Sequence, residues 1–174
     1  MDFDAIIDKY EKPIFNLIYR LVGDWEEAAD LTQDTFVAAY RSFSEFRGDA
    51  SVYTWLCRIA VNKCKNAFKA RDRQRAVMSL EIETDLDVDQ IASPNDMHEP
   101  AAALERKELR ERVEQAISQL PFDYRIVAVL RDLHGLSYEE IARAAGLSID
   151  VVRTRIARAR AMLRRKLEVY LEPL

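Results

Sequence analysis

An all-α protein of two small domains is predicted by three features of the sequence. Apolar residues recur at helical spacing along most of its length, there are only four glycines and five prolines in 174 residues, and runs of alternating β-branched residues are nearly absent. With 49% hydrophobic residues there is enough material for two cores, each near the lower size at which a domain holds unaided. The charge pattern marks the division. A basic stretch, an acidic stretch and a second basic stretch follow one another in a chain whose net charge is only −4.

The first domain, residues 1–75, is predicted to hold three to four helices. From Asp2 to Val22, Phe3, Ile6, Ile7, Tyr10, Ile14, Leu17, Ile18 and Leu21 fall at helical spacing, with Pro13 pointing to a kink or to two shorter helices. Gly23-Asp24 makes a turn, and a second helix runs from Trp25 to about Phe43. Acids crowd its start, where they suit the helix dipole. Asp30, Gln33 and Asp34 share one face of it, away from Leu31 and Phe36. A solvated surface and a patch for a basic partner both account for that face.

Phe43 to Ser51 reads as a loop, aromatic at its base and carrying Gly48 near its tip. A third helix begins near Val52 and presents Tyr53, Trp55, Ile59 and Asn62. Between Arg58 and Arg75 it carries seven Lys/Arg against the single acid Asp72. Cations for phosphate, flat rings for bases and an amide for base edges are what a single-stranded or melted nucleic acid requires. Trp55 by itself reads as core; the combination carries the inference.

Composition then reverses. Eight acids and no Lys or Arg lie between Glu81 and Glu105, broken by Ser93-Pro94-Asn95 and Glu99-Pro100, which makes residues 76–100 an acidic linker. A solvating tether accounts for it, and its charge also suits it to occupy a basic channel.

The second domain, residues 101–174, is predicted to hold four helices. Leu104, Leu109, Val113, Ala116, Ile117 and Leu120 mark the first, and Pro121 opens another with Ile126, Val127, Val129 and Leu130. Ser137-Tyr138-Glu139-Glu140 is a capping box that fixes the start of the third, Ile141, Ala142 and Ala145 give it a small apolar face, and Gly146 ends it. Ser148 is placed to cap the last helix, where Val152, Ile156, Ala159, Leu163 and Leu167 form one stripe and Arg153, Thr154, Arg158 and Arg165 the opposite face. From Arg143 to Leu167 there are eight Lys/Arg and one acid, Asp150. A short helix, a glycine turn and a longer helix that is basic on one side make a helix-turn-helix.

Several classes are disfavoured. The start, Met1-Asp2, has no basic segment or long apolar run, so neither a signal peptide nor a membrane span is expected, and a cytoplasmic protein without membrane contact of its own is. Cys57 and Cys64 lie one heptad apart, too far along a helix to bridge, while His98 and His134 stand alone. Buried free thiols are the expectation, with redox sensing as the minor alternative, and no metal or cofactor is expected. An enzyme using Cys57 as nucleophile is a poor reading: there is no glycine-rich phosphate loop, no HExxH, and no histidine close in sequence to either cysteine.

The runs Asp30-Leu-Thr-Gln-Asp-Thr-Phe36, Phe46-Arg-Gly-Asp-Ala50, Tyr53-Thr-Trp-Leu-Cys-Arg-Ile-Ala-Val-Asn62, Leu120-Pro121 and Leu136-Ser-Tyr-Glu-Glu-Ile-Ala142 resemble those of bacterial sigma factors. The resemblance is to the small extracytoplasmic-function group, which has only the second and fourth sigma domains, and it covers nearly the whole chain in order. It implies that Asp30, Gln33 and Asp34 grip the clamp helices of the largest subunit of core RNA polymerase, and that the second domain meets the flap of the second-largest. It implies that Phe46, Arg47, Gly48, Asp49 and Ser51, with Tyr53, Trp55 and Asn62, open the −10 promoter element and hold a flipped base, while Lys63, Lys65 and Asn66 follow the adjacent backbone. On the last helix, Arg153, Thr154, Arg155, Ala157, Arg158 and Arg160 would enter the major groove at the −35 element. The acidic linker would pass near the RNA exit path, and an anti-sigma factor would cover the polymerase- and DNA-binding faces.

One departure concerns the recognition helix. Many relatives have Gly-Thr where this chain has Asp150-Val151, replacing a hydroxyl donor by valine and adding an acid beside DNA. Asp150 could instead accept from a cytosine amino group. A stand-alone helix-turn-helix repressor or activator is the alternative; it explains only the last quarter and lacks the heptad a dimer would want.

Overall fold

The computed structural model describes residues 2–78 and 101–171; of the linker predicted over 76–100, residues 79–100 lie outside them. The described residues form seven helices and no strand. They are α1 (Phe3–Val22), α2 (Trp25–Ser42), α3 (Val52–Met78), α4 (Ala101–Ser118), α5 (Phe122–Ala128), α6 (Tyr138–Ala145) and α7 (Ile149–Leu171). A 3-10 turn, Phe43–Glu45, follows α2, and α5 runs on into a π-helical turn, Val129–Leu133.

Polar caps set most of these boundaries. Asp2 accepts from the Asp4 amide, Asp24 from the Glu27 amide at 2.8 Å, and Ser51 from the Thr54 amide at 3.0 Å, each satisfying a donor that a helix start leaves orphaned. Pro13 does not divide α1, which is one helix from Phe3 to Val22. The expected break gives way to packing: Ile14, Leu17, Ile18 and Leu21, just after the proline, are all fully buried and hold that stretch helical. α3 continues three residues past the expected domain end at 75.

α1, α2 and α3 pack as one three-helix unit, with Ala28, Phe36 and Ala39 of α2 and Leu56 and Ala60 of α3 against the α1 stripe. Thr32 and Thr35 are buried there and donate to the carbonyls of Ala28 and Leu31, so their hydroxyls cost little. α4 to α7 make the second unit around Ile126, Val127, Leu130, Ile141, Val152 and Ile156. Leu104 and Leu109 of α4 are not core residues: both are exposed.

The two units share a continuous apolar core, because α6 lies along α3 and α1 touches α4, α5 and the π turn. Phe68 of α3 stacks on Phe122 of α5 with ring centroids 4.3 Å apart. Polar contacts ring this core. Tyr53 and His134 Nδ1 are 2.6 Å apart, Thr54 donates to Glu140, Lys65 donates to the Ala145 carbonyl at 2.6 Å, and Arg143 donates to the Asp49 carbonyl at 3.0 Å. Arg20 pairs with Glu114, and the guanidinium of Arg125 gathers the carbonyls of Leu21, Ser118 and Leu120.

Candidate nucleic-acid interface

The loop between α2 and α3 builds a concave site. Gly48 takes φ +77°, a left-handed conformation that an L side chain rarely adopts, which turns the loop back over the start of α3. Phe46 then lies 4.9 Å, ring to ring, from Trp55, and the two help line a cavity of about 430 Å³ with Arg47, Asp49 and Arg58. Two flat rings, two cations and an acceptor around a hollow with room for a nucleobase can stack a base and neutralise its phosphate. Trp55, expected from its own pattern to be core, is half-buried: it packs against the core and leaves part of its ring facing the cavity.

Along α3, Trp55, Arg58, Asn62 and Asn66 recur at intervals of three and four and so continue one face away from the cavity. Asn62 and Asn66 are exposed and Lys63 is half-buried beside them. Ser51 is occupied as the α3 cap and as donor to Thr54. Two of the expected −10 residues are not brought into this site. Tyr53 turns inward, stacks on Tyr10 and meets His134; Lys65 donates to the carbonyl of Ala145, the last residue of α6. Burial pushes the Tyr53 hydroxyl up and the Lys65 ammonium down from their ordinary ranges. Arg58, the first cation of the basic stretch, also lines the cavity, whereas Ser42 and Glu45 line it but escape a sequence reading, since nothing in their spacing marks them.

On α2, Asp30, Gln33 and Asp34 are exposed together, as expected, and neither carboxylate is ion-paired among the described residues. Val37 and Tyr40 extend the same surface as exposed apolar side chains, and Trp25 stands out near the start of the helix. Acids around apolar groups suit a basic, amphipathic partner helix.

The helix-turn-helix has the expected local chemistry. Ser137 and Glu140 form the complete capping box, Gly146 sits at φ +68°, and Ser148 accepts from the Val151 amide at 3.3 Å. Val152, Ile156 and Ala159 are buried, whereas Arg153, Thr154, Ala157 and Arg158 are exposed on α7. Arg153 reaches back to Asp150 at 3.2 Å, so the unusual acid is partly answered by its own helix. Arg155 and Arg160 are less free: Arg155 leans on Asp123 of α5 at 3.8 Å, and Arg160 forks onto Asp132 of the π turn at 2.6 and 3.3 Å. Arg164 and Arg165 are further exposed cations on α7.

Cys57 and Cys64 are fully buried, free, and raised by burial to about 12, far from the thiolate needed for nucleophilic or redox work. Among the described residues no cluster of His, Cys, Asp or Glu could hold a metal, and no helix is long and apolar enough to cross a membrane.

A helical unit with a basic, aromatic cavity, joined to a helix-turn-helix whose last helix is basic on one side, has the surface chemistry of a nucleic-acid-binding protein. Residues 6–74 match the family description sigma-70 region 2 and residues 110–163 match sigma-70 region 4, and the chain belongs to the sigma-70 family. It is 40% identical to the RNA polymerase sigma-H factor of Pseudomonas aeruginosa over 97% of this chain and 88% of that one. Against the ECF RNA polymerase sigma-E factor of Haemophilus influenzae it is 35% identical over 95% of this chain and 87% of the relative. Its fold is similar to the sigma factor RpoE from Bartonella quintana, solved with the anti-sigma factor NepR, at TM-score 0.73 and 23% identity over 97% of this chain and 98% of that one. CnrH, solved with the cytosolic domain of CnrY, gives TM-score 0.65 and 25% identity over 96% and 88% of the two chains. The stand-alone repressor reading is not favoured, because the similarity runs through both halves.

Proposed function

We propose that this chain is an alternative sigma factor of the extracytoplasmic-function group that acts in the cytoplasm by adding promoter recognition to core RNA polymerase and has no chemistry of its own. The observation that carries the reading is the cavity between Phe46, Trp55 and Arg58, continued along α3 by Asn62. A base flipped out of the −10 element leaves its stack and needs another; the two rings supply it, while Arg47 and Arg58 offset the phosphate charge. Lys63 and Asn66 would follow the strand beyond.

The exposed cations of α7, chiefly Arg153 and Arg158 with Thr154 and Ala157 between them, would enter the major groove of the −35 element, Arg forking onto guanine or holding phosphate. The face of Asp30, Gln33 and Asp34, widened by Val37 and Tyr40, would hold the polymerase clamp helices, and the second half would meet the flap. The sigma factor RpoE of Bartonella quintana, similar in fold, was solved with the anti-sigma factor NepR, which supports such a partner here; it would cover these same faces.

Run-off transcription from a promoter library, with purified core polymerase alone and with this protein, tests the reading. Transcripts that start only when the protein is present, at sites sharing two spaced elements, are the expected result. Their absence, together with tight binding of duplex DNA by the protein alone, would overturn it.

A further inference from the structure

The contacts between the halves oppose the function just proposed. Elements centred about 25 base pairs apart are about 85 Å apart along duplex DNA. A compact body of about 150 residues is only about 40 Å across. The chain cannot bind both elements without opening. Shut, it also spends part of the −10 surface: Arg143 lines the cavity and holds the Asp49 carbonyl, Lys65 is committed to α6, and Tyr53 is held by His134.

We propose that the contact between Tyr53 and His134 is a proton-sensitive latch that holds the halves shut, and that protonating His134 releases it; this rests on the reading of the α3 surface as the −10 site. His134 hangs from the π turn with Nδ1 on the Tyr53 hydroxyl, and its Nε2 is buried with no partner among the described residues. In the tautomer whose Nδ1–H donates to the Tyr53 oxygen, an added proton goes to Nε2 and leaves the Tyr53 bond in place. The cost falls on Nε2–H, which would point at nothing in a water-poor interface.

No group around the ring offsets that charge. α3 presents Tyr53 and Cys57, both neutral and both pushed further from ionisation by burial. α1 presents Tyr10, stacked on Tyr53, and the Arg20 guanidinium, which repels an imidazolium. Glu114 of α4 is engaged by Arg20. Glu140 of α6 accepts from Thr54 and from the Ser137 amide, and Tyr138 lies under Arg131. On the ring's own turn, Asp132 is taken by Arg160, while Arg131 donates to the Leu136 carbonyl.

Burial first and Arg20 second lower the imidazole from 6.5 to about 4 in the shut form. The shut form therefore has its full stability above pH 6.5 and loses it as the pH falls from there toward 4. By pH 5.5 the opening equilibrium rises roughly ten-fold over its value at pH 8.

The full chain has only two histidines, so both imidazoles can be followed by proton NMR, with His98→Gln to assign them. Small-angle scattering from pH 8 to 5.5 reads the radius of gyration of wild type and of Lys65→Ala, which loses one tie between the halves. His134→Gln, neutral throughout, is the control, and far-UV circular dichroism checks that it stays folded. The latch predicts that His134 titrates at least one pH unit below an ordinary imidazole. It also predicts that wild type or Lys65→Ala expands on acidification, and that adding His134→Gln abolishes the expansion. A His134 that titrates near 6.5, a constant radius in both proteins, or an expansion that survives His134→Gln would overturn it. Run-off transcription by the wild-type chain with core polymerase at pH 8 tests the sigma-factor reading without reference to the titration of His134, so failure of the latch and failure of that reading are told apart.

Discussion

Arg158 and Arg160 are two residues apart on α7 and chemically identical, yet the structure gives them different work. Arg158 is exposed and has no acidic partner among the described residues, whereas Arg160 is forked onto Asp132. If Arg158 grips a guanine, Arg158→Ala weakens −35 binding by about 1–3 kcal/mol, roughly 5- to 150-fold. If it grips phosphate, the loss is uniform across sequences and the salt slope falls by about one. Arg160→Ala removes a half-exposed ion pair worth about 0.2–1 kcal/mol and costs DNA binding less than five-fold. Asp132→Asn should release Arg160 and leave affinity unchanged or raised. The assay is competition for a −35 duplex by polymerase reconstituted with each variant, at several salt concentrations. Equal losses for the two arginines, with a drop in affinity in Asp132→Asn, would refute the assignment.

Other expectations follow from the same geometry. Asn62→Ala should slow open-complex formation, read by permanganate reactivity of melted thymines, more than it weakens −35 binding; equal losses would place Asn62 outside the melting surface. Ser137→Ala removes an N-cap hydroxyl from a complete capping box and should cost about 1 kcal/mol of stability by denaturant titration, less when Glu140 has already been replaced by Ala, because the two bonds share one motif. Cys57 and Cys64, at 0% exposure and about 12, should not react with a thiol reagent at pH 8 until denaturant is added; prompt reaction would show that the halves separate readily.

Much of this molecule can be read from local chemistry. The capping box at Ser137, the left-handed Gly146 and the apolar stripe of α7 are set by residues within one or two turns of each other, and period and cap chemistry reveal them without tertiary knowledge. The Asp30, Gln33, Asp34 face is legible for the same reason. What sequence hides is long-range pairing. Pro13 reads as a break until the burial of Ile14 and Leu17 is known. Tyr53 and Lys65 read as nucleic-acid contacts until α6 is seen to lie against α3, and Arg155 and Arg160 read like Arg158 until Asp123 and Asp132 are in place. The four side-chain contacts each join residues at least 28 apart, which no periodicity encodes.

The π turn at Val129–Leu133 sets the angular phase of everything after it. An α-helix advances about 100° per residue, so the wider turn carries one residue more than a regular helix would for the same rise. That surplus decides which way Asp132 and His134 point: one toward the recognition helix, the other toward α3. Removing one residue here would keep the helix but rotate both side chains by about a quarter turn, dissolving the two contacts together. The anchoring of α7 and the contact between the halves are therefore tuned by a single backbone irregularity, and a change in its length cannot alter one without the other.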